Sequence, residues 1–569
     1  MPTYDVVLLH PPAVFDFRTR PRLWGPLADV VPSSAVFEMY PVGLTSLLHR
    51  LEQAGFRTAL VNIANHLVHD DAYDVDGRLK GLDSPIVGID LHWLPHAAGA
   101  LELARRVKRF HPDAFVVLGG LSATYFHEEI IREHPAVDAV LRGDSTEAPM
   151  EALARCLIRG QGDLRQVPNL TYRERRGAQA GTIAVNPLSY VPGSLAGIQV
   201  PAYGSVMRAA LHQHSFHDVE PYAGWRKYPT TMVLTLRGCT QSCIACGGSR
   251  QSYARLCART RPAFWSAGDL AADLHAISHF TRHPVFVVGD IRLQGLPRLS
   301  ALLERWRVDP PQNELVFELF GVADRHFFEE LQAAVPRYSL ELSIESQDPE
   351  LRRINRKFAV SNEAIEATVQ AALDHGARKV DLFFMTGLSG QDASSARRIV
   401  DYAQGVVKKA GCDPRLHPFV APLGPFIDPG SSVWEDPERY GYRIFYRTLA
   451  DHERALRHRT WRRLLAYETR WLTRRQLVDV TYDLARDLND LKDSYGAITA
   501  DEAALVRERM DSERQLLEVL EAEEDRELQE GEDDLGPSIE RGGMDLTGGS
   551  LSPPSEITWK HHRAHSPAP

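Results

Sequence analysis

Two series of short apolar runs, each interleaved with amphipathic helical segments, constrain the fold of this 569-residue chain most strongly. The strand-like runs of the first series are residues 5–9, 59–63, 85–90 and 114–120. Residues 43–54 and 100–110 show the apolar period of helices that bury one face. Buried strands that alternate with helices are typical of parallel sheets. Residues 1–175 are therefore predicted to form a Rossmann-like, flavodoxin-like α/β domain.

The second series lies in residues 229–430. Its strand-like runs are residues 230–236, 285–290, 315–321, 338–346, 380–387 and 416–424. Helical segments separate these runs, and Ser266 with Asp269 predicts a capping box at the start of one helix. Six parallel strands can form a curved sheet that does not close. The series therefore predicts a partial (β/α)6 barrel of the TIM type.

Three further stretches differ from both series. Residues 176–228 have scattered Pro, Gly and aromatic residues without a clean period, which predicts a linker that is ordered in parts. Residues 431–525 are aromatic and charge-rich and are predicted to form a helical extension. Residues 526–569 are acidic and then rich in Gly, Pro and Ser, so this tail cannot bury enough apolar surface and is predicted to be disordered.

Composition excludes several classes of function. A formal net charge of −10 argues against nucleic acid as the main partner, because phosphate binding requires a basic surface. No apolar run approaches the roughly 20 residues of a transmembrane helix, and the N-terminus lacks the pattern of a signal peptide. Six cysteines, half of them clustered, fit a reducing compartment. The chain is therefore expected to be cytoplasmic, without a transmembrane segment.

Three cysteines, Cys239, Cys243 and Cys246, fall within eight residues in the segment GCTQSCIACGGS. A structural zinc site normally needs four ligands, and the other cysteines (Cys156, Cys257 and Cys412) stand at no regular spacing to these three. Three thiolates would leave one iron of a [4Fe–4S] cluster open to a further ligand, whereas electron-transfer clusters normally take four cysteines. A zinc site or chance clustering is the alternative interpretation.

This segment resembles the cluster motif of the radical S-adenosylmethionine (SAM) enzymes, although Ala245 stands where an aromatic residue is common. In that family the open iron chelates the amine and carboxylate of SAM. Reduction through the cluster then cleaves SAM to a 5′-deoxyadenosyl radical. The resemblance therefore implies two cofactors, a [4Fe–4S] cluster on the three cysteines and SAM.

The later strands extend the resemblance and imply SAM-binding residues. Asp290 would accept a hydrogen bond from the amino group of SAM, and Gly387 would let adenine approach the backbone. Alternation along residues 338–346 places Ser343 and Glu345 on one face, where they would reach the ribose or the sulfonium end. The alternative for Glu345 is a buried carboxylate with a purely structural role.

The first domain resembles the cobalamin-binding domain that precedes many radical SAM barrels. The resemblance implies that residues at the strand ends contact cobalamin, namely Asp90, Gly119, Gly120 and Gly143. The D-x-H-x-x-G signature that supplies a cobalt ligand is missing, because His10 lacks both its aspartate and its glycine. Cobalamin is expected to bind with its own base displaced. His10 and His92 are candidates for its lower face, with ordinary loop histidines, or an empty flavodoxin-like domain, as alternatives.

Together these features are similar to the B12-binding-domain/radical SAM proteins, in particular a subgroup with the motif GCTxxCxxCGGS. The resemblance implies an enzyme that methylates an unactivated carbon of a lipid or secondary metabolite. It would need a small-molecule or lipid substrate and an external electron donor of the flavodoxin or ferredoxin type. Radical cyclisation or rearrangement is the alternative reaction, and a cobalamin sensor with a structural cluster is the alternative class. The C-terminal helical stretch would either contact substrate or cap the barrel.

Overall fold

The computed structural model describes residues 4–19, 22–23, 42–175, 181–200, 202–218, 220, 231–358 and 360–529. The predicted disordered tail lies outside the described residues from residue 530 onward.

The first domain is built on a seven-stranded sheet. Its strands are β1 (Val6–His10), β2 (Thr58–Asn62), β3 (Ile86–Asp90), β4 (Phe115–Gly119), β5 (Ala139–Leu141), β6 (Leu170–Arg173) and β7 (Ile183–Val185). The strand order is β2-β1-β3-β4-β5-β6-β7, with β1 to β5 parallel and the last two strands antiparallel. The order 2-1-3-4-5 is that of flavodoxin-like folds, so the predicted fold of this domain is confirmed.

Eight helices accompany this sheet: α1 (Val42–Gln53), α2 (Ile63–His69), α3 (Val75–Lys80), α4 (Ala97–Phe110), α5 (Leu121–Tyr125), α6 (His127–Glu133), α7 (Glu147–Arg159) and α8 (Tyr203–Gln213). Every residue of β1 and β2 is buried, as the continuous apolar runs predict. Both β7 and α8 lie in the stretch predicted as a linker. There β7 extends the sheet and α8 packs against α1 and β2, so the structural unit of the first domain continues beyond residue 175.

The second unit contains eight strands: β8 (Thr231–Leu234), β9 (Leu236–Arg237), β10 (Ala263–Phe264), β11 (Val285–Val288), β12 (Leu315–Leu319), β13 (Tyr338–Glu345), β14 (Val380–Thr386) and β15 (Leu416–Pro422). Six of them form a parallel sheet in the order β8-β11-β12-β13-β14-β15, while β9 and β10 pair separately. Within the residues that the structure describes, β8 and β15 are not paired, so the barrel is partial, as predicted.

Seven helices accompany these strands: α9 (Arg250–Cys257), α10 (Ala267–Phe280), α11 (Leu296–Val308), α12 (Arg325–Ala334), α13 (Pro349–Ile354), α14 (Asn362–Asp374) and α15 (Ala393–Lys409). The predicted capping box of Ser266 and Asp269 is present at the start of α10. Each side chain satisfies a backbone N–H that the helix itself leaves without a partner.

The C-terminal extension consists of α16 (Ser432–Glu435), β16 (Tyr442–Ile444), α17 (Leu449–Ala455), α18 (Trp461–Leu464), β17 (Tyr467–Thr469), α19 (Arg474–Ser494) and α20 (Ala500–Gln529). Helix α19 packs against β15 and α15, and α20 packs against α19. The extension therefore covers the last strand of the open barrel, which agrees with the capping role considered from the sequence.

Two ion pairs join the first domain to the barrel, and we call them the interdomain ion pairs. Arg237 donates to Glu147 at 3.0 Å (Nη1 to Oε2) and 2.5 Å (Nη2 to Oε1), and Arg259 donates to both carboxylate oxygens of Asp144. The side chains of Arg237 and Glu147 are only 10% and 7% exposed. Burial alone would raise the pKa of Glu147, but the charge and hydrogen bonds of Arg237 outweigh it and lower that pKa.

Replacing Glu147 with Gln should lower the stability of the protein at pH 7 by roughly 3–5 kcal/mol, because it leaves the buried Arg237 without its counter-charge. The lowered pKa means that the ion pair stabilises the fold above the ordinary pKa of glutamate. This contribution is lost as the pH falls through the lowered value. The difference between the wild type and Glu147→Gln in thermal unfolding should therefore stay constant from pH 7 down to about pH 4.5 and shrink below that pH.

Glu151→Gln is the matched control, since Glu151 lies on the same helix and pairs with the more exposed Arg50 and Arg155. It should change stability by about 1 kcal/mol or less. Equal losses in the two variants would contradict the importance assigned to the interdomain ion pair.

Candidate functional site

The three clustered cysteines lie on the loop between β9 and α9, at the carboxyl end of the first barrel strand. Two of their sulfur atoms accept backbone hydrogen bonds. The N–H of Gln241 donates to Sγ of Cys239 at 3.3 Å, and the N–H of Gly248 donates to Sγ of Cys246 at 3.2 Å. Backbone donors of this kind stabilise negative charge on sulfur, so the loop is suited to hold thiolates.

The three thiols are close enough for each to affect the charge state of another. The surrounding protein desolvates Cys243 and raises the pKa of its thiol to about 11, so a bound cation is what would make this thiol ionise near neutral pH. The other three cysteines lie elsewhere: Cys156 is near Gly162, Cys257 near Asp144, and Cys412 near Tyr495. Within the described part of the chain, no fourth cysteine joins the three.

The rest of the chain holds the cysteine loop at two points. The N–H of Ile244 donates to the carbonyl of Asn355, and the carbonyl of Ile244 accepts from the N–H of Val433. The N–H of Gly247 donates to Oδ2 of Asp428 at 2.6 Å. A Cβ atom on Gly247 would lie 2.7 Å from Cβ of Asp428, so only glycine allows this approach. Burial raises the pKa of Asp428 to about 6.

A buried cation, Lys357, lies beside this loop and was not singled out from the sequence. Its Nζ is 2.7 Å from Oε1 of Glu345, and its charge acts on the Cys243 thiol. Glu345 has a left-handed backbone (φ 62°) at a break in the pairing of β13 with β14. The alternation predicted for this strand thus ends at Ser343, and this backbone turn sets the position of Glu345. Such a conformation in a non-glycine residue is characteristic of functional sites.

Glu318, an acidic residue on β12, was also not singled out from the sequence. It accepts a hydrogen bond from the N–H of Gly289 at 3.1 Å, and it acts on the charge of Cys239. Burial raises its pKa to about 7, while Lys357 and the Gly289 N–H act against burial. Its signal in the sequence was a single acid in the otherwise apolar run LVFELF.

Asp290, the predicted contact for an amino group, is engaged by the protein itself. Its two carboxylate oxygens accept from Arg292 at 2.8 and 2.5 Å, and Oδ2 also accepts the N–H of Phe320 at 2.9 Å. Glu318 is close enough to Asp290 for the two charges to interact. Asp290 therefore lies at the site, and its side chain fixes the ends of β11 and β12.

The other two barrel residues predicted from the sequence lie in different surroundings. Ser343 is buried, and its hydroxyl is 3.4 Å from Oε1 of Glu341. Gly387 has a left-handed backbone (φ 87°), and its carbonyl accepts from the hydroxyl of Tyr442 at 2.8 Å. A Cβ atom at Gly387 would lie 2.9 Å from the hydroxyl oxygen of Tyr467. The C-terminal extension thus contributes to the surroundings of Gly387.

The carboxyl edge of the first sheet brings His10 and Asp90 together. Nδ1 of His10 lies 3.3 Å from Oδ2 of Asp90, so a carboxylate stands beside this histidine although the local signature is missing. This carboxylate comes from the neighbouring strand β3, whereas the searched signature places it near the histidine in sequence. His10 is fully buried, and neither of its ring nitrogens has a hydrogen-bond partner among the described residues. His92 is exposed and stacks on Trp93 with ring centroids 6.3 Å apart.

The predicted glycines at this edge differ in whether the fold has room for a side chain in their place. Gly120 has a φ of 110°, and a Cβ atom there would lie 2.5 Å from Cα of His92, so the fold itself requires glycine. At Gly119 the nearest atom to a Cβ would be the carbonyl oxygen of Leu141 at 3.8 Å, so the fold accepts a side chain. The N–H of Gly143 (φ 102°) donates to the hydroxyl of Thr124 at 2.9 Å.

The segment that supports the cysteine loop, around residues 426–434, also contacts this edge. Trp93 lies edge-on to Phe426 with ring centroids 6.3 Å apart, and Phe426 is two residues before Asp428, which accepts the Gly247 N–H. The indole N–H of Trp434 also donates to the hydroxyl of Tyr125 at 2.8 Å. The carboxyl edge of the first sheet therefore faces the three cysteines, and groups bound at the two places would be neighbours.

The structure thus joins a flavodoxin-like domain, at its carboxyl edge, to a partial barrel that carries three clustered cysteines. Residues 28–153 match the family model of the B12 binding domain. The resemblance of the first domain to cobalamin-binding domains, inferred from the sequence, is thereby confirmed.

Solved structures have a similar fold. TsrM, a radical SAM methyltransferase from Kitasatospora setae, with cobalamin and a [4Fe–4S] cluster bound, superposes with a TM-score of 0.54 at 15% identity, covering 79% of this chain and 81% of that one. The complex of TsrM with tryptophan substrate and a SAM analogue superposes with a TM-score of 0.53 at 14% identity, covering 77% of this chain and 78% of that one. The apo form of OxsB, a cobalamin-dependent SAM radical enzyme, superposes with a TM-score of 0.53 at 11% identity, covering 98% of this chain and 79% of that one.

A similar sequence is that of an uncharacterized methyltransferase from Pyrococcus horikoshii, with 26% identity over 213 residues. The match spans 37% of this chain and 41% of the relative, so it covers less than half of either protein. No helix in the described parts of the chain combines the length and the apolar character needed to cross a membrane.

Proposed function

We propose that the protein is a cobalamin-dependent radical SAM enzyme that methylates an unactivated carbon of a small molecule, either a lipid or a secondary metabolite. The observation that carries the proposal is the position of the three cysteines. They lie on one loop without a fourth cysteine among the described residues, and they face the carboxyl edge of a domain that matches the B12-binding family.

The loop fits a [4Fe–4S] cluster on Cys239, Cys243 and Cys246. Two of its sulfur atoms already accept backbone N–H bonds, and the spacing leaves one iron without a protein thiolate. When bound, the cluster and SAM supply a 5′-deoxyadenosyl radical, and methylcobalamin supplies the methyl group. The protein binds these groups, positions them relative to one another and excludes water.

The charged residues around the loop fit the amino-acid end of SAM, which carries one carboxylate and one amino group. Lys357 is the buried cation beside Cys243, so we assign it the carboxylate. Glu318 is the buried acid beside Cys239, so we assign it the amino group. Asp290 positions Glu318 through the β11 and β12 ends that it joins. Glu345 orients Lys357, and Ser343 and Gly387 remain proposed contacts to the nucleoside.

The edge of the first sheet fits cobalamin. His10 would supply the nitrogen ligand for cobalt at this edge, since both of its ring nitrogens lack a hydrogen-bond partner among the described residues and Asp90 lies 3.3 Å from Nδ1. Gly119 and Gly143 leave room at the strand ends for the nucleotide tail. The reducing electron would come from an external donor of the flavodoxin or ferredoxin type. A cytoplasmic location agrees with free thiols on the loop.

The direct test is anaerobic reconstitution of the full-length protein with iron, sulfide and hydroxocobalamin, followed by reduction in the presence of SAM. The protein should bind about four irons and release both S-adenosylhomocysteine and 5′-deoxyadenosine, measured by mass spectrometry. Cys243→Ala should lose the cluster and both products. Cys156→Ala and Cys412→Ala are the matched controls and should retain both.

The products separate the alternatives. Deoxyadenosine without S-adenosylhomocysteine would support cyclisation or rearrangement, and a loaded protein that forms neither product would support a cobalamin sensor. A need for Cys156 or Cys412 in cluster assembly would overturn the assignment of an open iron.

The assignment of Glu318 predicts a specific loss of SAM affinity. Glu318→Gln should weaken SAM binding about tenfold to a hundredfold with normal iron content, because one charge-assisted hydrogen bond is lost. Asp290→Asn should mainly lower thermal stability, since it breaks the buried pair with Arg292. Calorimetric SAM titration and thermal unfolding on the same preparations measure both effects. If SAM affinity fell in Asp290→Asn and not in Glu318→Gln, Asp290 would be the contact for the amino group of SAM.

The cobalamin site predicts that Gly119→Val folds normally and loses bound cobalamin, because the side chain fits the fold but fills the space at the strand end. Gly193→Val is the control, since a Cβ there meets no atom within 4 Å. His10→Ala should retain cobalamin with a shifted visible absorption spectrum. An unchanged spectrum would show that cobalt takes no ligand from His10, and normal cobalamin content in Gly119→Val would contradict the placement of the cofactor.

A further inference from the structure

Outside the cofactor site, we propose that His69, His217 and Glu220 bind a divalent transition metal ion of the zinc type. This site would join α2 to the segment that follows α8. The three residues come from two parts of the chain almost 150 residues apart, and their donor atoms all lie within 4.8 Å of one another. The cysteine loop and the edge residues His10 and Asp90 contribute nothing to this group.

His69 is oriented as a ligand. Its Nδ1 lies 2.9 Å from the carbonyl oxygen of Asn65, and because a carbonyl can only accept, Nδ1 carries the proton. The lone pair is then on Nε2, which lies 4.0 Å from Oε2 of Glu220. A histidine that donates one ring nitrogen to a backbone carbonyl and offers the other is the usual arrangement at metal centres.

The second histidine completes the group around the same carboxylate. Nδ1 of His217 lies 3.1 Å from Oε2 of Glu220, and the His217 ring stacks on His69 with centroids 4.6 Å apart. Ligands at 2.0–2.2 Å from a tetrahedral zinc ion are about 3.4 Å from one another. The separations of 3.1 and 4.0 Å bracket that value, so small side-chain adjustments suffice to admit an ion.

Neighbouring residues hold these ligands in place before any ion binds. The side-chain amide of Asn65, which is fully buried, donates to the carbonyl of His217 at 2.8 Å and to Oε2 of Glu220 at 3.3 Å. Asp218, between the two ligands, accepts from the N–H of Asn62 and lies 2.8 Å from Nε2 of His66. The segment is thus fixed to the N-cap and the middle of α2.

The donor set determines the class of ion. Two imidazoles and one carboxylate suit zinc and similar transition ions, whereas magnesium and calcium prefer oxygen ligands alone. The side chains of His69 and His217 are 30% and 37% exposed, so water can reach a fourth coordination position. The site would therefore stabilise the contact between α2 and this segment and would stand apart from the proposed chemistry.

The test is a zinc titration of the reduced full-length protein against a chromophoric chelator, with and without the substitution Cys243→Ala to separate zinc bound by the loop thiols. One zinc equivalent should be lost in His69→Ala, with affinity about 100-fold lower, in both backgrounds. His279→Ala is the matched control, because His275 and His279 form an exposed pair with nitrogens 3.1 Å apart. It should leave the stoichiometry unchanged.

A second measurement guards against loss of folding. Zinc should raise the thermal unfolding midpoint of the wild type by several degrees, and His69→Cys, which supplies another zinc ligand, should retain this shift. Three results would each overturn the proposal. The protein would bind no zinc outside the loop thiols, His69→Ala would leave zinc binding unaffected, or His279→Ala would lose the zinc. None of these outcomes depends on cluster assembly or SAM cleavage, so this site and the proposed function fail independently.

Discussion

The interdomain ion pairs determine the geometry on which the rest of the molecule depends. Arg237 comes immediately before Gly238 and Cys239, and Arg259 follows the helix that begins after the loop. Both arginines bind carboxylates, Glu147 and Asp144, at the carboxyl edge of the first sheet. The cysteine loop is therefore fixed at both of its ends to the domain opposite, and not only to its own barrel. Separating a buried pair of this kind is costly, so the two sheets keep a constant spacing.

Charged side chains of the barrel gather around the cysteine loop. Lys357, Glu345 and Glu318 lie around the cysteine loop, and burial raises the pKa of Glu318 to about 7. Burying such groups destabilises a protein unless a ligand or a partner compensates. Perturbed acids and bases that gather around a set of metal-binding residues are typical of functional sites. The left-handed backbone of Glu345 points to the same conclusion.

The sequence was sufficient for the elements and for the cysteine loop, because both are local patterns. The six barrel strands were predicted from apolar runs, and the three thiols from their spacing alone. Contacts across the fold were not predictable in this way. Asp90 lies beside His10 from a neighbouring strand 80 residues later, and nothing local distinguishes Lys357 from the other basic residues of LRRINRK. Glu318 could have been found, since a lone acid in an apolar strand has to face the interior or be paired.

The interdomain ion pairs also have a consequence for the order in which the molecule is assembled. Their partners are 90 and 115 residues apart, and the carboxylates come first in the chain. During synthesis the first domain can fold before the arginines emerge, and it then presents a finished surface on which the cysteine loop takes shape. Cys246 stays exposed in the folded chain. Iron and sulfide for the proposed cluster would thus be delivered to a completed protein, and maturation would follow folding.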